Sequence, residues 1–169
     1  MKKMQKIRWN KSLIVKNLLI VILLGICSVY IVMQCVENRI SWGILFILVF
    51  VFFIWIIGVA MLPLRIEMTD SELVLHKVVG KLSIPYDQIE IIASYNLNMA
   101  HSISVYGNAG YTGLFRNEEV GRFKAYIGDY RETFFIRTRK GKNYVWSCIN
   151  HKELIREVNE MRRISQRDK

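Results

Sequence analysis

Hydrophobic and polar positions are distributed unevenly along the chain, and the strongest feature is an apolar stretch over residues 17–64. Its only charged residues are Glu37 and Arg39, which divide it into two uncharged runs, 17–36 and 40–64. Each run has about 20 residues or more, enough for a helix to cross the roughly 30 Å hydrocarbon core of a bilayer. Apolar segments of this length are rarely core helices, because a soluble helix keeps a polar face. The pattern therefore predicts a transmembrane helical hairpin.

Beyond Pro63 the apolar positions recur every second residue, which is the period of half-buried β-strands. Turn residues separate these runs, and the turn at 140–142 joins the last two in a predicted hairpin. The expected strands are 64–68, 72–77, 81–85, 90–95, 121–127, 133–139 and 143–147. Residues 87–89 predict a single helical turn before the fourth strand. The pattern indicates a mainly-β domain of about seven antiparallel strands in a bent sheet or partial barrel.

The last segment of the chain has the period of an amphipathic helix. Asn150 is a favourable N-cap, and Glu153 three residues later gives a variant of the capping box. Apolar residues then recur on one face, at Leu154, Ile155, Val158, Met161 and Ile164. We expect this C-terminal α-helix to cap the sheet. The predicted segments are a basic arm (1–16), the transmembrane hairpin (17–63), the β-domain with its helix (64–165) and a tail (166–169).

The region from Asn96 to Val120 has the least regular pattern. It contains three glycines and four asparagines, so we expect turns to dominate, with one short strand at 102–106. The glycines do not have the spacing of a phosphate-binding loop. A loop of this length is uncommon in a compact domain unless it has a role. With the basic hairpin tip, the candidate interaction surface comprises Tyr106, Tyr111, Phe115, Arg116, Arg137, Arg139, Lys140 and Lys142.

Positive charge is concentrated before the first apolar run. Six basic residues and no acidic residue lie there, namely Lys2, Lys3, Lys6, Arg8, Lys11 and Lys16. Positive charge beside a span is retained in the cytoplasm. The N-terminus and, after two spans, the β-domain are therefore expected on the cytoplasmic side of the cell (plasma) membrane, in a multi-pass protein. The arm could also attract anionic lipid. A cleaved signal peptide is the rival interpretation, but no A-x-A-like site follows the run.

Two segments of the β-domain resemble the bacterial pleckstrin-homology-like (PH-like) domain family. One is TDSELVL followed by KLSIPYDQIE, and the other is GYTGLFRNEEVGRFKAY, with Gly113, Phe115, Arg116, Asn117, Gly121 and Phe123 at the matching positions. The resemblance covers about residues 64–164. It implies a bent seven-stranded sheet plugged by the C-terminal helix, and an interaction module without catalytic activity. Phosphoinositide-binding relatives carry basic residues in the first hairpin loop, whereas residues 68–71 are acidic here, which does not support inositol-lipid binding.

Several function classes are compatible with this organisation. The first is a membrane-tethered module that binds a protein partner or its own copies, and the second is recognition of anionic lipid head groups. A membrane-bound enzyme is the third, disfavoured class, because His76, His101 and His151 lie on separate predicted elements and no catalytic motif is present. The three cysteines lack metal-ligand spacing, so we expect no metal or cofactor. The net charge of +10 suits nucleic acid, but no recognised motif accompanies it, and we expect none to bind.

Overall fold

The computed structural model describes residues 3–37, 42–97, 102–108 and 111–167. The chain forms two compact units. One is helical and runs from Trp9 to Val59, and the other combines the residues up to Arg8 with those from Ala60 onward.

The helical unit contains α1 (Lys11–Val36) and all but the last residue of α2 (Trp42–Ala60). Asn10 precedes α1, and its side-chain oxygen accepts a hydrogen bond from the Ser12 amide at 3.0 Å, which satisfies one free donor of the first turn. At about 1.5 Å per residue, the apolar parts of both helices (Ile14–Gln34 and Gly43–Ala60) reach roughly the thickness of a bilayer core. Their side chains are exposed to the surroundings. The structure therefore contains two helices that are long and apolar enough to cross a membrane.

The second unit is a β-domain followed by one helix. In the part of the chain that the structure describes, its strands are β1 (Lys3–Lys6), β2 (Pro63–Met68), β3 (Glu72–Lys77), β4 (Lys81–Pro85), β5 (Ile89–Ser94), β6 (Ile103–Asn108), β7 (Thr112–Asn117), β8 (Gly121–Tyr126), β9 (Thr133–Thr138) and β10 (Asn143–Ser147), with α3 at His151–Arg167. They form a four-stranded sheet, β1-β2-β3-β4, and a six-stranded sheet, β5-β9-β10-β8-β7-β6. The pairs are antiparallel except β8 with β10, which is parallel.

The core of the β-domain is aromatic and β-branched. Trp146, Tyr86 and Phe134 are almost completely buried, and Phe134 meets Trp146 edge-on with ring centroids 6.2 Å apart. Helix α3 lies against β5 and the 3₁₀ turn Tyr86–Gln88, with Leu154 and Val158 fully buried. The fold class expected from the sequence is confirmed: two apolar helices are followed by a PH-like β-domain with a C-terminal helix.

The N-terminal arm is part of the β-domain, a role that the sequence analysis did not assign to it. Strand β1 pairs with β2, with Lys3 opposite Met68 and Lys6 opposite Arg65. The next residue, Ile7, is only 7% exposed. Its amide donates to the Leu64 carbonyl at 3.4 Å.

Two further contacts fix the arm. The Lys6 carbonyl accepts a hydrogen bond from the Ile149 amide at 3.2 Å. On α3, Glu153 and Glu157 both accept hydrogen bonds from the Lys3 ammonium, the former at 3.0 Å. The arm therefore joins the edge of the four-stranded sheet to the start and the first turns of α3.

The described residues between Asn96 and Val120 include a pair of strands, where turns were expected to dominate. The short strand expected at 102–106 is confirmed as β6, whereas β7 was not expected. Strands β6 and β7 pair antiparallel, with Gly107 opposite Gly113, and β7 pairs in turn with β8. Gly113 has φ 140°, a conformation that other residues rarely adopt, so this glycine allows the strand to continue and does not mark a loop. Together with β1, this hairpin explains why the domain has more strands than the seven expected.

The start of α3 also differs from the predicted capping box. Asn150 has φ 61°, the left-handed conformation that asparagine tolerates better than most residues. Its backbone carbonyl accepts hydrogen bonds from the amides of Glu153 and Leu154, at 3.0 and 3.2 Å. The Glu153 carboxylate binds Lys3. The local signal identified the start of the helix correctly but not the partner of Glu153, which is 150 residues away.

Candidate functional site

The outer surface of the β7–β8 hairpin carries two arginines in register. Arg116 lies directly opposite Arg122, and both are exposed. Their neighbours Phe115 and Phe123 also lie opposite each other, with ring centroids 5.8 Å apart and exposures of 0% and 1%. Because successive side chains point to opposite faces of a strand, burial of the two phenylalanines directs the two arginines outward.

Strand β8 and the start of β10 extend this positive surface. Lys124 is exposed two residues after Arg122 and pairs with Tyr144 of β10. The side-chain Nδ2 of Asn143 donates to the Val120 carbonyl at 2.8 Å, which holds the start of β10 beside the start of β8. The exposed Lys142 immediately precedes that strand. We call the surface formed by Arg116, Arg122, Lys124 and Lys142 the cationic face.

The charges of the cationic face are not compensated within the described residues, where none of the four side chains forms an ion pair. Like charges directly opposite on neighbouring strands destabilise a sheet. The nearby Glu119 accepts a hydrogen bond from the Tyr95 hydroxyl at 2.7 Å, and that hydroxyl accepts one from Asn117 at 2.9 Å. Burial, followed by the bond to Glu119, raises the pKa of Tyr95. Glu119 is therefore bonded to Tyr95 and forms no ion pair with the cationic face within the described residues.

The remaining basic residues of the sequence prediction have different surroundings. Arg137 is half-buried, with its guanidinium 5.5 Å from the centre of the Phe135 ring and its Nε donating to Asn143 at 3.3 Å. It pairs with Asn143 and so lies on the opposite face of the sheet from Lys142. Arg139 and Lys140 are exposed at the β9–β10 turn.

Arg139 lies close enough to α3 to act on a second arginine. Burial and then the charge of Arg139 lower the pKa of Arg162. The Arg162 guanidinium donates to the Glu90 carbonyl at 2.6 Å and to the Asn159 side chain at 3.0 Å. Arg162 therefore connects α3 to β5.

Two aromatic members of the predicted surface are buried, which corrects that part of the prediction. Tyr111 is 5% exposed and packs on Tyr130, with ring centroids 4.8 Å apart. Phe115 is fully buried against Phe123, as described above. Both belong to strands or strand ends whose inward positions contribute to the core, which the loop interpretation did not anticipate. The side chain of Tyr106 lies outside the described residues.

A concave surface lies between the β2–β3 turn and the end of α3. It has a volume of about 460 Å³ and is lined by Asp70, Ser71, Pro85, Asp87, Met161, Ile164 and Ser165. Among the described residues that line it, two are carboxylates and none is basic. Such a lining does not suit a phosphorylated head group, because like charges repel.

Among the described residues, the two histidines lie in different surroundings and do not share a site. Nε2 of His76 lies 2.7 Å from a Glu67 oxygen, and Nε2 of His151 lies 3.2 Å from the Ser94 hydroxyl, on separate elements. His101 lies outside the described residues. Burial, followed by the charge of Glu132, raises the pKa of the Cys148 thiol to about 12, which leaves it unreactive. Within the described ranges no group of three or more histidine, cysteine, aspartate or glutamate side chains could hold a metal ion.

Two sheets, a C-terminal helix and two preceding helices that are apolar enough to cross a membrane fit a membrane-associated PH-like module. The family model of the bacterial PH domain matches residues 64–162, more than half of the chain, and the protein belongs to that family. Comparison with curated proteins gave no match, and comparison with solved structures gave none. PH domains are generally interaction modules without catalytic activity. The matched region begins at β2 and leaves out β1, which the fold includes.

Arg122 and Lys124 are the members of the cationic face that the sequence analysis missed. The sequence feature that could have identified them is the alternation of basic and apolar residues in 121–126. This alternation places Arg122 and Lys124 on one side of a strand. The register that brings Arg116 opposite Arg122 could be found only after 112–117 is identified as a strand.

Proposed function

We propose that this protein is an interaction module held at the cytoplasmic side of the cell membrane by two spans, and that its cationic face binds an acidic segment of a protein partner. The N-terminus and the β-domain lie on the same side of the membrane. The module has no catalytic role.

The pairing of β1 with β2 is the observation that supports this membrane topology. The chain leaves the β-domain after Arg8 and returns to it at Ala60. The Ile7 amide and the Leu64 carbonyl, on the two sides of this excursion, are 3.4 Å apart. A segment whose two ends belong to one folded domain crosses a bilayer an even number of times. Two apolar helices match that requirement, and the basic residues before α1 favour the cytoplasm for both ends.

The uncompensated charge of the cationic face supports an acidic partner. Two guanidinium groups directly opposite each other can receive carboxylates in paired, charge-assisted hydrogen bonds. The repulsion that they cause in the free protein would be relieved when the partner binds. The acidic surface around Asp70 and Asp87 could serve as that partner in a second copy, which makes self-association one result of the test below.

The test is photocrosslinking in cells, with a photoreactive amino acid in place of Lys124 of the full-length protein. We expect crosslinks to one other protein, and their loss when R116Q and R122Q are combined. The matched control combines K152Q and R156Q, which removes the same charge from exposed positions on α3. Crosslinks to the protein itself would identify the partner as a second copy. Crosslinks that survive R116Q with R122Q would contradict the role of the cationic face.

Binding of anionic lipid head groups is the second candidate function. It is supported by the exposure of Arg139, Lys140 and Lys142 around the β9–β10 turn. A photoreactive group at Lys140 would then crosslink to lipid in a salt-dependent manner, because exposed charges are screened by salt. Crosslinks from Lys140 only to protein would contradict this second function.

A further inference from the structure

The turn between β3 and β4 presents two apolar side chains at its tip. Val78 and Val79 are 46% and 64% exposed. The turn is tight, since the Lys77 amide donates to the Gly80 carbonyl at 3.0 Å and Gly80 has φ 78°, which favours glycine. Hairpin turns normally carry polar residues, so two adjacent valines at this position need a physical explanation.

The backbone of the same turn is bonded to the end of the second apolar helix. The Val79 amide donates to the carbonyl of Ala60, the last residue of α2, at 2.9 Å. The Val78 amide donates to the Leu62 carbonyl at 3.0 Å. Ala60 is also the last residue of the candidate span Gly43–Ala60. We call Val78 and Val79 the valine tip. Its backbone is thus bonded to Ala60 and Leu62, where the chain leaves that candidate span.

The residues around the tip match the boundary layer of a bilayer. Leu64, at the irregular start of β2, is 44% exposed, and Pro63 beside it pairs with Lys77. Lys77 precedes the two valines, and the exposed Lys81 follows Gly80. Apolar side chains flanked by lysines suit the layer where acyl chains meet phosphate groups, because lysine keeps its ammonium at the level of the phosphates.

We propose that the β3–β4 turn inserts Val78 and Val79 into the interfacial layer of the same membrane that holds α1 and α2, with Lys77 and Lys81 at the level of the lipid phosphates. The inference rests on the proposed function, since it requires α2 to span the bilayer. The inserted turn adds a third contact between the protein and the membrane.

The test uses full-length protein in liposomes of phosphatidylcholine and phosphatidylglycerol, with a polarity-sensitive fluorophore on a single introduced cysteine. The background carries C27A and C35A, and it keeps Cys148, whose thiol is fully buried. Fluorophores are placed separately at V79C, at E118C in the exposed β7–β8 turn, and at V51C within α2. Lipids with a spin label near the glycerol backbone report the interface, and lipids with a label deep in the acyl chain report the bilayer core.

The V79C fluorophore should emit at shorter wavelength than the E118C fluorophore, and the shallow label should quench it at least about twofold more strongly, because an interfacial residue lies within the range of that label. The V51C fluorophore should be quenched by the deep label. If V51C is quenched and V79C behaves like E118C, the inference is wrong while the membrane hairpin stands. If V51C is not quenched, the proposed membrane hairpin is wrong as well. Equal quenching of V79C and E118C would contradict a specific role of the valine tip.

Discussion

Substitution of Gly128 tests whether the N-terminal arm is seated in the β-domain. A Cβ atom built at Gly128 comes closer than 3.0 Å to both the Arg8 carbonyl oxygen and Cγ2 of Ile7. Rotation of a side chain cannot relieve the contact with Arg8, because that oxygen belongs to the backbone. Gly128 itself is held by a hydrogen bond from its amide to the Ser147 hydroxyl at 2.7 Å. The arm is held on its other side by the bond from Ile149 to Lys6.

We expect G128A to destabilise the β-domain by about 1–3 kcal/mol, the usual cost of overpacking a well-packed site. I7A should cost about 2–5 kcal/mol, because it removes a side chain that is 7% exposed. The double variant should cost less than the sum, by roughly 0.5 kcal/mol or more, since I7A removes one of the two atoms that the new methyl group meets.

The measurement is thermal unfolding of the full-length protein in detergent, followed by near-ultraviolet circular dichroism. Each kcal/mol should lower Tm by about 4–8 °C in a domain of this size. The matched control is G25A in α1, where a Cβ meets no atom within 4 Å, and it should leave the transition of the β-domain unchanged. Wild-type stability of G128A, or strict additivity with I7A, would show that the arm does not pack against Gly128.

Three further predictions concern charge. R122Q removes the repulsion with Arg116 and should stabilise the β-domain by about 0.2–1 kcal/mol while it weakens binding to the partner, so lower stability in urea unfolding would contradict the account. The hydrogen bond from Arg131 lowers the pKa of Asp129 from its ordinary value of 3.8. The ionised Asp129 carboxylate therefore stabilises the fold above pH 3.8, and this stabilisation is lost as the pH falls through the lowered pKa. D129N should therefore be less stable than wild type at neutral pH but not in strong acid, which an unfolding series across pH would show. Burial lowers the pKa of His151 from 6.5, so the protein loses stability as the pH falls through 6.5 toward that lowered value, and H151Q should lose less over the same range.

Much of the architecture could be predicted from local patterns. The two apolar runs, the period-two segments and the amphipathic C-terminal face each depend on neighbouring residues, and all three predicted element types occur where expected. The N-terminal strand could not be predicted in this way. Lys3–Lys6 has no marked strand pattern, and it forms a strand because β2, about 60 residues further along, offers a free edge. Tertiary context decides such pairings.

The candidate surface likewise has residues that local patterns predict and residues that tertiary context decides. Exposure of Arg116, Arg139, Lys140 and Lys142 agrees with their polar character, whereas Tyr111 and Phe115 are buried because 112–117 is a strand with an inward side. Glycine-rich sequence favoured a loop, but Gly113 has a conformation that lets it continue the strand. The exposed pair Val78 and Val79 in the β3–β4 turn could not be recognised from the sequence. Its sequence resembles an ordinary strand end, and the hydrogen bonds to Ala60 and Leu62 show that it lies beside the residues that follow α2.

The pairing of β1 with β2 makes a direct prediction about sidedness, which impermeant maleimide labelling of intact cells can test. Single cysteines are introduced at M4C in β1, at E37C after α1 and at K140C in the β9–β10 turn, in the background of C27A and C35A. We expect E37C to react from outside, and M4C and K140C to react only after the membrane is opened. Labelling of M4C and K140C from opposite sides would contradict the paired strands and the two-span hairpin together. Labelling of both from outside would contradict the cytoplasmic position of the β-domain.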